Sequence, residues 1–182
     1  TNAPKNEKKF FVDLNYNGGF VYVNNDREKS KEIVDKLRKE IPNVAITTDV
    51  IVGFPGETEE EFEKTYNFLK DIGLSQMHIF KYSPRKGTKA ADMENQVSPQ
   101  IKHERSEKLL QLNKENFINF ASKSVGKEFE VLFEQKVGDD KYEGLTPNYL
   151  KTFVTCDEDI CGKIMKVKIT EVKDEYVEGI LV

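Results

Sequence analysis

The segment TTDVIVGFPGETEEEF, Thr47 to Phe62, is where this sequence concentrates the means to hold a ligand. β-Branched residues lead into Gly53-Phe54-Pro55-Gly56, a turn-forming stretch that leaves backbone groups free, and Thr58 with Glu61 three residues on opens a helix as a capping box. A strand-to-helix turn of this kind lies at the C-terminal edge of a sheet, where α/β folds bind ligands. The competing reading is a tight turn that needs glycine for its geometry alone. Other reactive side chains are sparse. Cys156 and Cys161 form C-x4-C around Asp157-Glu158-Asp159 with no histidine close by, which reads as two free thiols at a turn rather than a zinc site. Two cysteines also fall short of the three thiolates usually needed to hold an iron–sulfur cluster. His78 and His103 are far apart and read as structural, so no residue is assigned as catalytic and none as a metal ligand.

An edge of this kind needs a sheet behind it, and the periodicities supply one. Val44 to Phe54 is apolar on both parities, which predicts a strand covered on both faces within a parallel sheet. Phe62, Thr65, Tyr66, Leu69 and Ile72 trace the buried stripe of a helix that stops at Gly73, and Gln76 to Tyr82 is the next strand. Residues 44–82 therefore form one strand-helix-strand unit of an α/β sheet or barrel. Upstream, FFVDLNY and FVYVN joined by Asn17-Gly18-Gly19 read as a hairpin. Asp26 is the expected N-cap of a helix carrying Ile33, Val34, Leu37 and Ile41, ended by Pro42-Asn43. Downstream, Ser83 to Val97 is a loop, and Ser98-Pro99 starts a long helix to about Lys123. Past Gly126 the period changes to two: Phe129, Val131 and Phe133, then Tyr149 to Thr155, then Ile164, Val167 and Ile169, then Val177 to Val182. About five short strands in so few residues predict a small β-barrel.

The chain of 182 residues can hold one ordinary domain or two small ones and is too short for a complete TIM-type barrel of about 250 residues. Hydrophobic residues are 37% and charged residues 33%, and no run approaches the ~18 apolar residues of a membrane helix. Thr1 to Lys9 is polar and basic and does not read as a secretory signal, so no membrane association and a cytoplasmic location are expected. The net charge of -4 is uneven: residues 1–75 carry -3, residues 76–125 carry +4 and residues 126–182 carry -5. Only the middle segment can attract a polyanion strongly.

VIVGFPGE, followed by HIFKYSPRKGTKAADM and then QVSPQIKHERSEKLLQLN, closely resembles the radical S-adenosylmethionine methylthiotransferase family that modifies tRNA, over roughly Asp26 to Val182. The fold class this resemblance implies is α/β plus β: a partial, incomplete radical-SAM α/β barrel over residues 26–97, a connecting helix over 98–125, and a small OB-like β-barrel, the TRAM domain, over 126–182. Residues 1–25 are a hairpin of unplaced origin. The resemblance places the end of the GFPGE strand beside the adenosine of S-adenosylmethionine, with Asp49, Gly53, Phe54 and Pro55 on the cofactor side. Tyr82, Ser83, Arg85 and Lys86, at the end of the next strand, are expected to face that site or the RNA, although Arg85 and Lys86 read equally as solvated surface charge.

An OB-like sheet that binds RNA needs aromatics to stack on bases and cations to track phosphates. Tyr149, Asn148, Lys151, Phe153 and Lys141 supply such a set, while a Tyr or Phe in a strand also fits a core position. YEGLTPNYLKTFV looks most like the branch that methylthiolates threonylcarbamoyladenosine beside the anticodon, with the isopentenyladenosine and ribosomal-protein branches as alternatives. Intact enzymes of the family carry S-adenosylmethionine and two 4Fe-4S clusters, held by cysteine motifs absent here. The chain, which begins with Thr, is therefore expected to be the C-terminal portion of a longer enzyme, to hold none of these groups alone and to be inactive by itself. Its expected partners are the tRNA anticodon stem-loop, the N-terminal part of the same enzyme and, through open sheet edges, a second copy. The alternative is a stand-alone RNA-binding module.

Overall fold

The computed structural model describes residues 11–16, 19–24 and 27–182, with the strands before Arg27 described by backbone alone. The chain divides within its longest helix into two compact units, one up to Leu112 and one from Asn113 to Val182.

The first unit contains β1 (Phe11–Tyr16), β2 (Gly19–Asn24), α1 (Arg27–Glu40), β3 (Thr47–Val52), α2 (Glu59–Ile72), β4 (Gln76–Lys81) and the start of α3 (Pro99–Ser122). The hairpin strands pair from Phe11 with Asn24 to Tyr16 with Gly19; Asn17, Gly18 and the expected cap Asp26 lie outside the described residues. β3 and β4 run parallel from Thr47 with Gln76 to Val52 with Lys81, and the sheet order is β2-β1-β3-β4. α2 starts with the expected capping box: Thr58 and Glu61 exchange side-chain bonds with each other's backbone N–H, and Gly73 ends the helix in the left-handed conformation. Val34 of α1, Phe62, Leu69 and Ile72 of α2, and Leu109 and Leu112 of α3 bury one face of the sheet through Val50, Val52 and Met77.

The expectation that the GFPGE strand is covered on both faces is wrong. Thr48, Val50 and Val52 are buried, whereas Asp49 is exposed and Ile51 is 52% exposed; on β4, Met77 is buried while His78 and Phe80 are exposed. A strand apolar on both parities fits either two covered faces or one covered face and one open apolar face, and hydropathy does not separate them. All three helices contribute to the same core, leaving Ile51 and Phe80 uncovered side by side.

The second unit is a closed barrel of β5 (Glu128–Lys136), β6 (Lys141–Leu145), β7 (Lys151–Thr155), β8 (Ile164–Val172) and β9 (Val177–Leu181) in the order β5-β6-β7-β9-β8. All pairings are antiparallel except β7 with β9. Val131, Phe133, Tyr142, Val154, Val167, Ile169 and Val177 fill it, with Ala121 of α3 against them. β6 is the strand that periodicity did not single out, because one of its inward positions is Gly144. A Cβ there would strike the Leu132 carbonyl oxygen and the Val131 side chain, so the strands meet too closely for any side chain.

Candidate functional site

β3 ends at Val52 and is followed by Gly53, whose φ of 73° suits glycine. That turn aims the Gly53 N–H at the Glu57 carboxylate, donating to Oε1 at 3.1 Å and Oε2 at 3.2 Å. Arg105 of α3 closes the arrangement from the other side. Its Nη1 donates to Glu57 Oε1 at 2.5 Å and to the Glu57 carbonyl at 3.2 Å, and its Nη2 donates to Glu59 Oε2 at 3.0 Å. The Arg105 side chain is 5% exposed and that of Glu57 12%. Burial pushes the Glu57 carboxyl up, opposed by the Gly53 N–H and the Arg105 guanidinium, while Arg105 holds the exposed Glu59 carboxyl below its ordinary value.

One turn earlier on α3, the methylenes of Lys102 lie where a Cβ at position 53 would be, and its Nζ donates to the Tyr82 carbonyl at 3.0 Å. The same ammonium stands 5.0 Å from the Tyr82 ring centroid, and Phe54 meets Tyr82 edge-on at 5.2 Å. The Tyr82 N–H bonds the Val52 carbonyl at 2.8 Å, so the ends of both parallel strands are tied together.

Beside this edge lies a cleft of about 400 Å³ lined by Ile51, Phe80, Lys81, Tyr82, Ser83, Arg85, Thr88 and Ala90. Tyr82, Ser83 and Arg85, singled out from sequence, meet here; Lys86 is exposed and does not line the cleft. Gly53 and Phe54 flank it through the Phe54–Tyr82 contact, Pro55 is buried, and Asp49 stands on the open face opposite His78. Sequence reasoning missed Ile51, Phe80, Lys102 and Arg105. The parity of Asp49 could have identified Ile51, whereas nothing local announces a partner for Glu57 that lies 48 residues away. Chemically, the lining offers an aromatic and aliphatic wall, hydroxyls and a guanidinium, which suits a flat, partly polar ring system.

On the barrel, Asn148 and Tyr149 occupy a turn rather than the start of a strand. The Tyr149 N–H bonds the Thr146 carbonyl at 2.9 Å, and the Thr146 hydroxyl accepts from the Leu150 N–H at 2.9 Å while donating to Asn148 Oδ1 at 2.7 Å. This holds Tyr149 at φ 61° with its side chain outward and the residue 66% exposed. Lys151 follows at the start of β7, 3.7 Å from Glu143. Lys141 stands at the other end of the β6–β7 pair. Its ammonium bonds Glu178 at 2.8 Å and lies 4.9 Å from Phe153 and 5.6 Å from Tyr176, whose rings meet edge-on. The structure therefore groups Asn148, Tyr149 and Lys151 and separates Lys141 and Phe153 from them. Cys156 is half-buried and Cys161 exposed, both as free thiols.

The sequence profile of the Radical SAM superfamily matches residues 21–69, and that of the TRAM domain matches residues 122–182. This chain is a partial radical SAM domain followed by a TRAM domain. Its relatives include the threonylcarbamoyladenosine tRNA methylthiotransferase of Bacillus subtilis, 43% identical over 150 residues that make up 80% of this chain and 33% of that protein. The tRNA-2-methylthio-N(6)-dimethylallyladenosine synthase of a Thermoanaerobacter species is 41% identical over 158 residues, 86% of this chain and 34% of that protein. The enzyme of the same name from Aquifex aeolicus is 39% identical over 153 residues, 84% of this chain and 34% of that protein. The chain thus spans about a third of the length of these relatives. The radical SAM match starts inside β2, so the hairpin is partly within the superfamily's pattern.

The iron–sulfur clusters that the superfamily implies do not fit these residues. The sequence has two cysteines, both in the TRAM domain, and among the described residues no three His, Cys, Asp or Glu side chains are grouped as metal ligands. Among the described residues no helix is long and apolar enough to cross a membrane.

Proposed function

We propose that this chain is the RNA-holding part of a radical SAM tRNA methylthiotransferase that acts on N6-threonylcarbamoyladenosine beside the anticodon. The observation that carries this reading is Tyr149. A left-handed conformation costs a non-glycine residue on the order of 1–2 kcal/mol, and the exposed Tyr149 ring repays none of it by burial. Strain kept at an exposed aromatic points to a ligand for the ring, and a nucleobase is the ligand that a β-barrel of this kind stacks. Lys151 beside it and the positive segment 76–125, with Arg85 and Lys86, supply attraction for phosphates. The strand-end cleft in the radical SAM part is the wall of the cofactor site, with Asp49, Gly53, Phe54, Tyr82 and Ser83 on that side. The clusters and the remaining barrel strands come from the rest of the enzyme, in the cytoplasm where tRNA is modified. Alone, the chain cleaves no S-adenosylmethionine; formation of deoxyadenosine after iron–sulfur reconstitution would refute that.

The test of the RNA reading is binding to unmodified and threonylcarbamoylated tRNA across a salt series. We expect affinity that tracks the modification, a loss of about 5- to 150-fold in Tyr149→Ala from one lost base stack, and a salt slope smaller by about one in Lys151→Ala. Equal affinity for both tRNAs, unchanged by Tyr149→Ala, would overturn it. The 41% identity to a dimethylallyladenosine-directed relative favours a second reading, in which isopentenylated tRNA is the preferred form.

A further inference from the structure

Arg105 is a buried cation whose hydrogen bonds all go to one short turn: two to Glu57 and one to Glu59. A buried ion pair is weak evidence for stability, because apolar residues of similar volume often do as well, and its better-attested use is to specify one arrangement among several. Here the arrangement specified is local. Glu57 points both oxygens at the Gly53 N–H only while Arg105 neutralises it, since a buried carboxylate held by one backbone donor is costly.

Lys102, three residues earlier on the same helix, completes the restraint. Its stem lies against Gly53 in the space a Cβ would need, and its ammonium holds the carbonyl of Tyr82, the residue that leads into the cleft-lining loop. One face of α3 thus fixes the carboxyl end of β3 through Arg105 and that of β4 through Lys102. Arg105 also lies over the ring of the core residue Phe62, 5.2 Å from its centroid, so the same guanidinium that holds the turn rests on the core built from Val50, Val52, Phe62, Leu69 and Ile72.

We propose that Lys102 and Arg105 are positioning residues that set the conformation of the Gly53–Glu57 turn and the Tyr82 carbonyl, and so shape the wall against which the nucleoside of S-adenosylmethionine is held; this rests on the assignment of that edge to the cofactor. Neither residue touches the nucleoside. Both act through Gly53, Glu57 and Tyr82.

The test is amide hydrogen exchange by NMR on the full chain. Arg105→Met speeds exchange at Gly53 and Gly56 at least tenfold while amides within α2 and the TRAM barrel stay within about twofold, and Arg105→Lys restores part of the protection. The pH at which the Gly53 amide proton shift follows the Glu57 carboxyl moves up in Arg105→Met. Uniform acceleration across α2, β3 and β4, or unchanged protection at Gly53, would mean an ordinary stabilising ion pair and overturn the proposal. A titration with S-adenosylmethionine of the enzyme reassembled from this chain and its N-terminal part, where the cofactor is expected to bind, separates this outcome from the reading beneath it. A wild-type Kd that rises about tenfold in Arg105→Met and Lys102→Met supports both. Binding that is unchanged in the variants overturns the positioning role, and no wild-type shift at Ile51, Phe80 or Tyr82 overturns the cofactor assignment and with it the functional half of the proposal, whatever the exchange rates show.

Discussion

Gly53 carries two demands at once: a left-handed φ and an absent Cβ under the Lys102 stem. Gly53→Ala is therefore expected to destabilise the radical SAM part by about 2 kcal/mol, the left-handed cost plus a displaced lysine, measured as a lowered denaturation midpoint. Glu178 gives a pH dependence of defined sign. The Lys141 hydrogen bond holds its carboxyl below the usual range, so its contribution is present above the unfolded carboxylate value and disappears as pH falls through the folded one. The bond raises Lys141, whose contribution is present below the unfolded lysine value and lost as pH rises through the folded one. Glu178→Gln should flatten both limbs of a stability–pH curve for the TRAM barrel, on the acid side as pH falls from the unfolded carboxylate value through the folded one; an acid limb identical to that of the wild type would show that the pair contributes nothing. The residues that were readable in the sequence share a reason. Gly53, Tyr82, Ser83 and Arg85 sit in chain-local patterns of turn and strand end, whereas the bond from Arg105 to Glu57 is a tertiary event that local spacing does not encode.

At the scale of elements, α2 was legible to the residue at its start because a capping box is a local chemical signature. Thr58→Ala should cost about 1 kcal/mol, with thermal unfolding followed by circular dichroism as the check. β4 was legible as a strand, yet its surroundings were not. Among the described residues it stands at one end of the sheet order, with Phe80 52% exposed. Such an edge accepts another strand, and we expect concentration-dependent association of the chain by light scattering, reduced when Phe80 is replaced by Glu. A monomer at all concentrations would remove that expectation. β6 was the least legible element, since Gly144 occupies a position where the alternation calls for an apolar side chain.

At the scale of the whole molecule, two hydrophobic clusters share no residue, one around Phe62 and Leu69 and one around Phe133 and Tyr142. Differential scanning calorimetry is expected to resolve two transitions, with Phe62→Ala lowering the radical SAM transition and Phe133→Ala the TRAM transition; a single transition moved by both variants would contradict this. The barrel order β5-β6-β7-β9-β8 also has a temporal meaning. Of the five barrel strands β9 comes last in the chain, and it is the piece that joins β7 to β8. Until Val177 to Leu181 are in place, the other four strands can form only a curled sheet with two raw margins, so barrel closure is the last step of this unit and the open form is the species exposed to aggregation and chaperones.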